Sequence, residues 1–449
     1  MKILALYPNA QGYSRIPTGM AIIVTVLSRR HEIKVFDTTF MAKGNVDNDI
    51  REEALLVKKT TFDYGYEGLS VEQISDRLNT LLYRSRPELM IVTLVEDNYR
   101  FANTLMGSAK KAVPGLKILV GGPTPSAVPD IVIENPNVDY LIQGEGEEAV
   151  IEFCEGLNES TKNLWTKEFH NPLRPFIDMD TIPFQDFSFW DRRHLIKAYD
   201  GKIYRTGYVE ASRGCPNRCT YCVNHAIRKS LKSCGNYFRK KSYDKVIAEV
   251  EYQMRFDGIE RVVFCDDNFL FQRKDFHIFA DMWRERVNLP YWITTSVEHI
   301  TPENLKQLKE SGCDGVGFGV EHGDESIRKR VLLRNVSNKK ILKTFYMLKN
   351  MGIRSTANFM FGWPYETKTD IKKSVEFMKQ LDPDSIDVSF VAPYAGTDIL
   401  RYAQELNLID TDDAPGFNGM AKEVSFREHA VIYNPNFPGK RKISDYVRH

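Results

Sequence analysis

A chain of 449 residues is too long for one small core and suits two or three domains, each burying its own apolar interior. Its 61 basic and 60 acidic residues leave a formal charge of +1, so bulk electrostatics argues against nucleic acid or an anionic membrane as the main partner. No apolar run reaches bilayer-spanning length, and the start MKILALYPN leads into a strand without a signal peptide's apolar region and cleavage site, so a cytoplasmic location is expected.

Strand-like apolar runs alternate with helix-like stretches from the first residues. Lys2 to Tyr7 reads as a strand, Thr18 to Arg29 as a helix and Ile33 to Phe36 as a strand. After a polar insertion near residues 42 to 70 come a helix over Val71 to Arg84, a strand over Leu89 to Leu94 and a helix near Phe101 to Lys111. Strands at Lys117 to Val120 and Tyr140 to Ile142 follow, then a helix from Glu147. Short buried-type strands between amphipathic helices predict a parallel sheet covered on both faces, a doubly wound Rossmann-like α/β domain over residues 1–157. Ligands of such sheets sit beyond the carboxyl ends of the strands.

Residues 158–203 break the rhythm with Pro172, Pro175, Pro183 and the aromatic residues Phe184, Phe187, Phe189 and Trp190; this stretch reads as a linker packed against both domains. The alternation resumes with strands at Tyr208 to Ala211, Arg261 to Phe264, Trp292 to Thr295, Gly315 to Val320, Arg354 to Phe361 and Ser385 to Phe390. Helices at Tyr243 to Phe256, Lys274 to Arg286, Pro302 to Ser311, Asn338 to Met351 and Thr369 to Leu381 separate them. Six such units predict a partial (β/α)6 barrel over residues 204–400, with its site at the strands' carboxyl ends. Residues 401–449 form a short C-terminal extension. Its aromatic and proline residues over 417–438 suggest a segment packed on the barrel mouth, and Lys440-Arg-Lys442 reads as solvated surface.

Cysteine usage points to a metal cluster. Of seven cysteines, Cys215, Cys219 and Cys222 fall within one short loop directly after the first barrel strand, unlike a disulfide framework. Cys154, Cys234, Cys265 and Cys313 read as small buried side chains, Cys234 less clearly because it follows the motif closely. Three thiolates on one loop suit three irons of a cubane and leave the fourth iron open for a substrate group. Structural zinc would instead need a fourth protein ligand, here His225 or Cys234.

The segment Ser212-Arg-Gly-Cys-Pro-Asn-Arg-Cys-Thr-Tyr-Cys222 resembles the radical S-adenosylmethionine (SAM) superfamily signature. The resemblance implies a 4Fe-4S cluster on Cys215, Cys219 and Cys222, SAM chelated to the open iron, and reductive cleavage of SAM to methionine and a 5′-deoxyadenosyl radical. Further matches lie at successive strand ends. Phe264-Cys-Asp-Asp-Asn-Phe269 resembles the family's polar motif near the SAM amino group, where Asp266 or Asp267 would accept hydrogen bonds from an ammonium. Gly317-Phe-Gly-Val-Glu321 sets Glu321 to bond a ribose or the methionine moiety, and Asn358-Phe-Met-Phe-Gly-Trp-Pro-Tyr-Glu-Thr367 resembles a Gly-x-Pro-x-Glu-Thr turn of the same enzymes. The implied SAM-binding set is Tyr221, Asp266, Asp267, Ser296, Glu321 and Asn358. Each alone could also be an ordinary strand-end cap.

Two glycine loops carry a second resemblance. Val120-Gly-Gly-Pro-Thr-Pro-Ser-Ala127 and Gly144-Glu-Gly-Glu-Glu148 follow strands, where glycine lets backbone approach a large flat ligand and the hydroxyls of Thr124 and Ser126 could bond its amides. With Ile16-Pro-Thr-Gly19 they look like the cobalamin-binding domain ahead of many radical SAM modules. The implied cobalamin contacts are Ile16, Pro17, Thr18, Gly19, Gly121, Gly122, Pro123, Thr124, Gly144, Glu145 and Gly146. The Asp-x-His-x-x-Gly motif of some cobalamin proteins is absent, the early loop reading Asn9-Ala-Gln-Gly12 and His31 reading as a surface histidine. Any corrin bound here should therefore lack a histidine from that motif. The alternative is a doubly wound domain that retains only the fold.

The tandem implies a cobalamin-dependent radical SAM methyltransferase acting on an unactivated carbon of a small-molecule, lipid or peptide substrate. An external donor such as flavodoxin or ferredoxin would supply electrons. A non-methylating cyclisation, rearrangement or carbon–carbon bond formation uses the same machinery, and a cobalamin-binding sensor with a vestigial barrel is the alternative of another class. Methylthiotransferases share the cysteine spacing but carry N-terminal cluster cysteines, whereas no cysteine precedes Cys154.

Overall fold

The computed structural model describes residues 1–10, 16–42, 62–409, 432 and 436. Gln11 and Gly12, most of the insertion, Lys440-Arg-Lys442 and the tail segment apart from Ile432 and Asn436 lie outside the described residues. The described chain packs as two compact units. One comprises residues up to 203 together with 226–237, and the other comprises 204–225 and the residues from 238 onward. Residues 158–203, expected as a linker, are thus part of the first unit. Among the described residues no helix is long and apolar enough to cross a membrane.

The first unit is built on strands β1 (Lys2–Tyr7), β2 (Glu32–Asp37), β3 (Leu89–Thr93), β4 (Lys117–Gly121), β5 (Tyr140–Ile142) and β6 (Leu164–Trp165). They lie in the order β2-β1-β3-β4-β5-β6. All pair in parallel except β6, which returns antiparallel on β5. Ile3 to Leu6, Leu89 to Val92 and Ile118 to Val120 are buried without alternation, as a sheet covered on both faces requires. Helix Val71–Ser85 begins with a reciprocal capping box between Ser70 and Gln73, which satisfies two amides that a helix start leaves orphaned. The doubly wound domain is as expected; β6 adds an edge.

The second sheet has seven strands, from the edge formed by Ser385–Phe390 through Arg354–Phe361, Cys313–Glu321, Tyr291–Thr294, Arg261–Phe264 and Lys202–Val209 to Ile196–Tyr199, and curls through 243°. Its members are β7 (Ile196–Tyr199), β8 (Lys202–Val209), β11 (Arg261–Phe264), β12 (Tyr291–Thr294), β13 (Cys313–Glu321), β14 (Arg354–Phe361) and β15 (Ser385–Phe390). A separate ribbon pairs β9 (Ser212–Arg213) with β10 (Arg239–Lys240). From β8 to β15 the neighbours are parallel, giving the expected six-stranded partial barrel. β7 joins it through Asp200-Gly201, both at positive φ (49° and 74°), the conformation that a tight hairpin demands.

One face of this sheet carries the core. Val209, Val262, Phe264, Ile293, Val316, Phe318, Ala357 and Phe359 pack with Val246, Phe279, Trp283, Leu305, Phe345 and Phe377 from the covering helices. Burying each such side chain is worth about 1.5–3 kcal/mol. In β14 the residues Ser355, Ala357, Phe359 and Phe361 are buried while Arg354, Thr356, Asn358 and Met360 are part-exposed on the opposite, concave face. That period of two delivers polar side chains to the barrel interior.

Candidate active site

The cysteine loop is anchored at both ends. It leaves β9 through Gly214 at φ 84° and runs into helix Val223–Ser230 directly after Cys222. In between, Thr220 donates its hydroxyl to Val331 O at 2.8 Å and its amide to Leu332 O at 3.4 Å, and its carbonyl accepts from Ile399 N at 3.0 Å. Cys219 is buried and Cys215 and Cys222 are partly so. Burial pushes the Cys215 thiol up to about 11 and Cys222 up to about 12, and raises Cys219 too, with the neighbouring cysteines adding to the effect at Cys215 and Cys222. Thiols in this setting are protonated at neutral pH, and coordination to a soft metal is what would ionise them.

Three thiols on one loop, close enough to feel one another electrostatically, fit the donor set of a three-cysteine cubane. Among the described residues no group of three or more His, Cys, Asp or Glu is drawn together for a single metal ion. A cluster sharing its irons among three thiolates draws them from a wider triangle than one ion does. Of the two possible zinc ligands, His225 lies with Nε2 at 3.5 Å from Asp398, and Cys234 is buried in the first unit.

The adjacent aspartates divide their roles. Asp266 is 3% exposed; Ala211 N donates to it at 3.0 Å and the Ser212 hydroxyl donates as well, while Arg273 lies 3.7 Å away. Its carboxylate is thereby committed to fixing the end of β8 and the entry to the cysteine loop. Asp267 accepts from Asn224 Nδ2 at 2.9 Å and raises the Cys215 and Cys222 thiols by its charge. Of the pair, Asp267 is the exposed one.

Ser296 sits beyond β12 and accepts from Asn217 Nδ2 at 3.4 Å and from Asn268 Nδ2 at 3.3 Å. Asn268, fully buried, also accepts from Thr295 Oγ1 at 2.8 Å. This amide network joins the ends of β11 and β12 to the cysteine loop. Asn268 and Asn217 were not foreseen, although both lie inside the segments that carried the motifs.

At the end of β13 the register slips between Gly319 and Glu321, and Glu321 takes φ 69°, a strained position for a residue with a Cβ. The glycines make room. A Cβ on Gly319 would stand 2.1 Å from Glu321 Oε1, and one on Gly317 would stand 2.5 Å from the Trp292 indole. Glu321, buried, accepts from the Tyr221 hydroxyl at 2.9 Å, and Arg334 Nη1 lies 3.3 Å from both Tyr221 Oη and Glu321 Oε1. Tyr221 meets Trp363 edge to face at 5.5 Å. Arg334 belongs to no motif and was missed by the sequence reading. Asn358 pairs in register with Gly319 and Asp387 and lies on the concave face.

The Gly-x-Pro-x-Glu-Thr turn is internally braced. Glu366 accepts from Gly362 N at 2.7 Å and lies 3.1 Å from His322 Nε2, both side chains fully buried. His322 Nδ1 accepts from Asp324 N at 3.0 Å, so the proton sits on Nε2 and points at Glu366. Outside the turn, Asn436 donates to Tyr365 O at 3.0 Å, and Ile432 is buried beside Leu332 and Trp363.

In the first unit the glycine loops after β4 and β5 are tied together by Ser126, whose hydroxyl donates to Gly122 O at 2.7 Å and accepts from Gly144 N at 3.0 Å. That hydroxyl thus uses its donor and one of its two lone pairs within the fold. Gly122, at φ 110°, opens helix Pro123–Ala127, and a Cβ there would stand 2.8 Å from Thr93 Oγ1. Thr124 is buried. A Cβ on Gly121 would meet nothing closer than 3.9 Å, and one on Gly19 nothing within 4 Å. Gly19 and Gly121 thus leave open space at the strand end, a fit for a broad flat ligand, whereas the space beside Gly122, Gly144 and Gly146 is filled by Thr93, Leu231 and Ile23. Glu145 accepts from Ile177 N at 2.8 Å, which holds the 175–178 segment. Gly146 leaves a close approach to Ile23. Ile16 and Pro17 shape the start of helix Thr18–Ser28, with Ile16 O accepting from Thr18 N at 2.9 Å. His31 lies before β2, at the opposite end of the sheet, with Nδ1 at 3.4 Å from the N-terminal amine.

Comparison with known proteins agrees with both halves. The radical SAM superfamily model matches residues 209–378, and the B12 binding domain model matches residues 54–153. An uncharacterized methyltransferase of Pyrococcus horikoshii is 25% identical over 430 residues, covering 92% of this chain and 85% of its own. The anaerobic magnesium-protoporphyrin IX monomethyl ester cyclase of Rubrivivax gelatinosus is 20% identical, covering 74% of this chain and 60% of its own. In fold the chain resembles the radical SAM methyltransferase TsrM from Kitasatospora setae, solved with cobalamin and a 4Fe-4S cluster, with a TM-score of 0.70 at 16% identity, over 97% of this chain and 88% of that one. The matched regions, the three-cysteine loop and the strand-end motifs together show that the chain carries a radical SAM domain preceded by a B12-binding domain.

Proposed function

We propose that this protein is a cobalamin-dependent radical SAM methyltransferase acting on an unactivated carbon of a small-molecule, lipid or peptide substrate. The observation that carries the reading is a three-thiol loop on the barrel in tandem with a glycine-rimmed B12-type domain. When bound, the cluster would supply the electron that cleaves SAM and the corrin would carry a methyl group.

The chain's own residues divide the remaining work. Cys215, Cys219 and Cys222 would each hold one iron of the cluster. Asp267 accepts from the SAM ammonium while Asp266 keeps the strand end and loop in register. Glu321, oriented by Tyr221, accepts from hydroxyl or ammonium groups, and Ser296 and Asn358 contribute polar contacts on the barrel interior. Gly19 and Gly121 would let backbone approach the corrin, Gly122, Gly144 and Gly146 let the loops that flank it pack closely, and Thr18, Pro123, Thr124, Ile16, Pro17 and Glu145 lie alongside. A flavodoxin- or ferredoxin-class protein serves as electron donor.

The cyclase among the relatives favours a second reading, a non-methylating radical reaction at the same site. Anaerobic incubation of reconstituted protein with SAM labelled in its methyl group and candidate substrates distinguishes them. Labelled product together with 5′-deoxyadenosine is expected; product without label overturns methyl transfer and leaves the second reading. Absence of SAM cleavage under reducing conditions overturns both.

A further inference from the structure

Glu321 closes β13 in a conformation that costs the chain energy. Its φ is 69°, and His322 N donates back across it to Val320 O at 2.9 Å, the i→i+2 bond of a γ-turn. With a positive φ at the central residue this is the rare, strained form of that turn. A glycine takes such an angle freely, whereas a glutamate is kept there only where its surroundings dictate it.

Residue 322 supplies the restraint. His322 is fully buried, and each of its polar groups is committed. Its N–H closes the turn, its carbonyl accepts from Arg328 Nη1, its Nδ1 accepts from Asp324 N at 3.0 Å, and its Nε2 lies 3.1 Å from Glu366 Oε1. Glu366, also buried, accepts at Oε2 from Gly362 N at 2.7 Å, so the pair ties the end of β13 to the turn after β14. The backbone beyond has no slack: Gly323 N donates to Ser374 Oγ at 2.9 Å, and a Cβ on Gly323 would stand 2.5 Å from Ser374 Cα.

The strained turn decides where the Glu321 carboxylate stands. Its Oε1 is held by the Tyr221 hydroxyl at 2.9 Å and by Arg334 Nη1 at 3.3 Å. Among the described residues no hydrogen bond reaches its Oε2, although the residue is only 7% exposed. An enclosed carboxylate with one oxygen engaged and the other open is an acceptor set for a donor that the chain itself does not supply.

We propose that His322 and Glu366 are positioning residues: their buried bond holds the γ-turn at Glu321 and so aims Oε2 at a donor group of SAM, a ribose hydroxyl or the ammonium. This rests on the radical SAM reading. Neither residue touches the ligand, and both act through Glu321. A carboxylate fixed before the ligand arrives pays no ordering cost on binding, and that gain is what the strain in the turn secures.

The test is equilibrium dialysis of radiolabelled SAM against the anaerobically reconstituted full-length protein. Wild type is compared with Glu321→Gln, His322→Phe, His322→Gln and Glu366→Gln, and with His322→Phe and Glu366→Gln each placed in the Glu321→Gln background. His322→Phe and Glu366→Gln should each weaken SAM binding about tenfold, with normal iron content and an unchanged EPR spectrum of the reduced, SAM-free cluster. His322→Gln, whose amide can replace the Nε2 donor, should retain most of the wild-type affinity. In the Glu321→Gln background the same two changes should cost no more than about twofold, because residues acting through one group are not additive. Unchanged affinity in either single variant overturns the proposal, and so does a full loss added on top of Glu321→Gln, which would make the pair a brace for the fold at large. Where His322→Phe takes up no cluster, Glu366→Gln and its double variant decide on the same terms. A wild-type protein whose reduced cluster binds no SAM would instead defeat the radical SAM reading itself.

Discussion

Asp266 and Asp267 follow one another just beyond β11, and one is buried while the other is exposed. Asp266 is enclosed, and burial pushes its carboxyl up to about 6 against the pull of Arg273 and the bonds from Ser212 and Ala211. A carboxyl whose folded value lies above its unfolded one binds more protons folded than unfolded. Its contribution to stability is therefore greatest at low pH and declines as pH rises from about 4 to about 6. Wild type should gain stability relative to Asp266→Asn as pH falls through that window, measured by thermal unfolding of both at matched ionic strength; a difference that stays flat would contradict this. The sequence brought both aspartates to the site but could not separate them, since what encloses Asp266 is its bonding to Ala211 and Ser212 from a distant part of the chain. Arg334 was invisible for a different reason: it reaches Glu321 from a coil whose path is set by packing, with no period or spacing to announce it.

At the scale of the element, β13 shows why a Gly-x-Gly-x-Glu strand end is needed. The two glycines face different neighbours and their replacement should fail differently. A Cβ on Gly319 would strike the Glu321 carboxylate and stand 3.0 Å from Arg334 Nη1, both mobile ends of long side chains, so the fold can yield while the site is disturbed. A Cβ on Gly317 would strike the Trp292 ring at 2.5 Å, which is rigid. Gly319→Ala should therefore weaken SAM binding at least tenfold, about 1.4 kcal/mol, with little loss of stability. Gly317→Ala should destabilise by roughly 1–3 kcal/mol through overpacking. Equilibrium dialysis with SAM and thermal melts of the two variants check this; equal loss of stability in both would sink it. Most elements were legible. The bounds of β1, β5, β14, β15 and helix Asn338–Met351 match the pattern reading, because buried strands and amphipathic helices leave strong periods. The first barrel strand instead starts at Lys202, where exposed polar residues hide its period, and β7 was missed with the Asp200-Gly201 hairpin that introduces it.

At the scale of the whole molecule, the two sets of site residues fall in separately packed units. The glycine rim belongs to the first and the cysteine loop to the second. Occupancy of one site should then survive loss of the other. A Cys215→Ala, Cys219→Ala, Cys222→Ala protein should lose its iron and sulfide while still taking up close to one equivalent of hydroxocobalamin. Gly122→Val should do the reverse: a branched side chain driven against Thr93 Oγ1 and Leu94 O, at 2.8 and 3.0 Å from the first added carbon, must displace the loop that Ser126 ties to Gly144. Iron, sulfide and corrin quantification on the anaerobically reconstituted proteins, with a UV–visible spectrum of each, reads both sites without a substrate. If the triple-cysteine protein also failed to bind corrin while keeping a native melting transition, the sites would be coupled and the assignment of one cofactor to each unit would have to be abandoned.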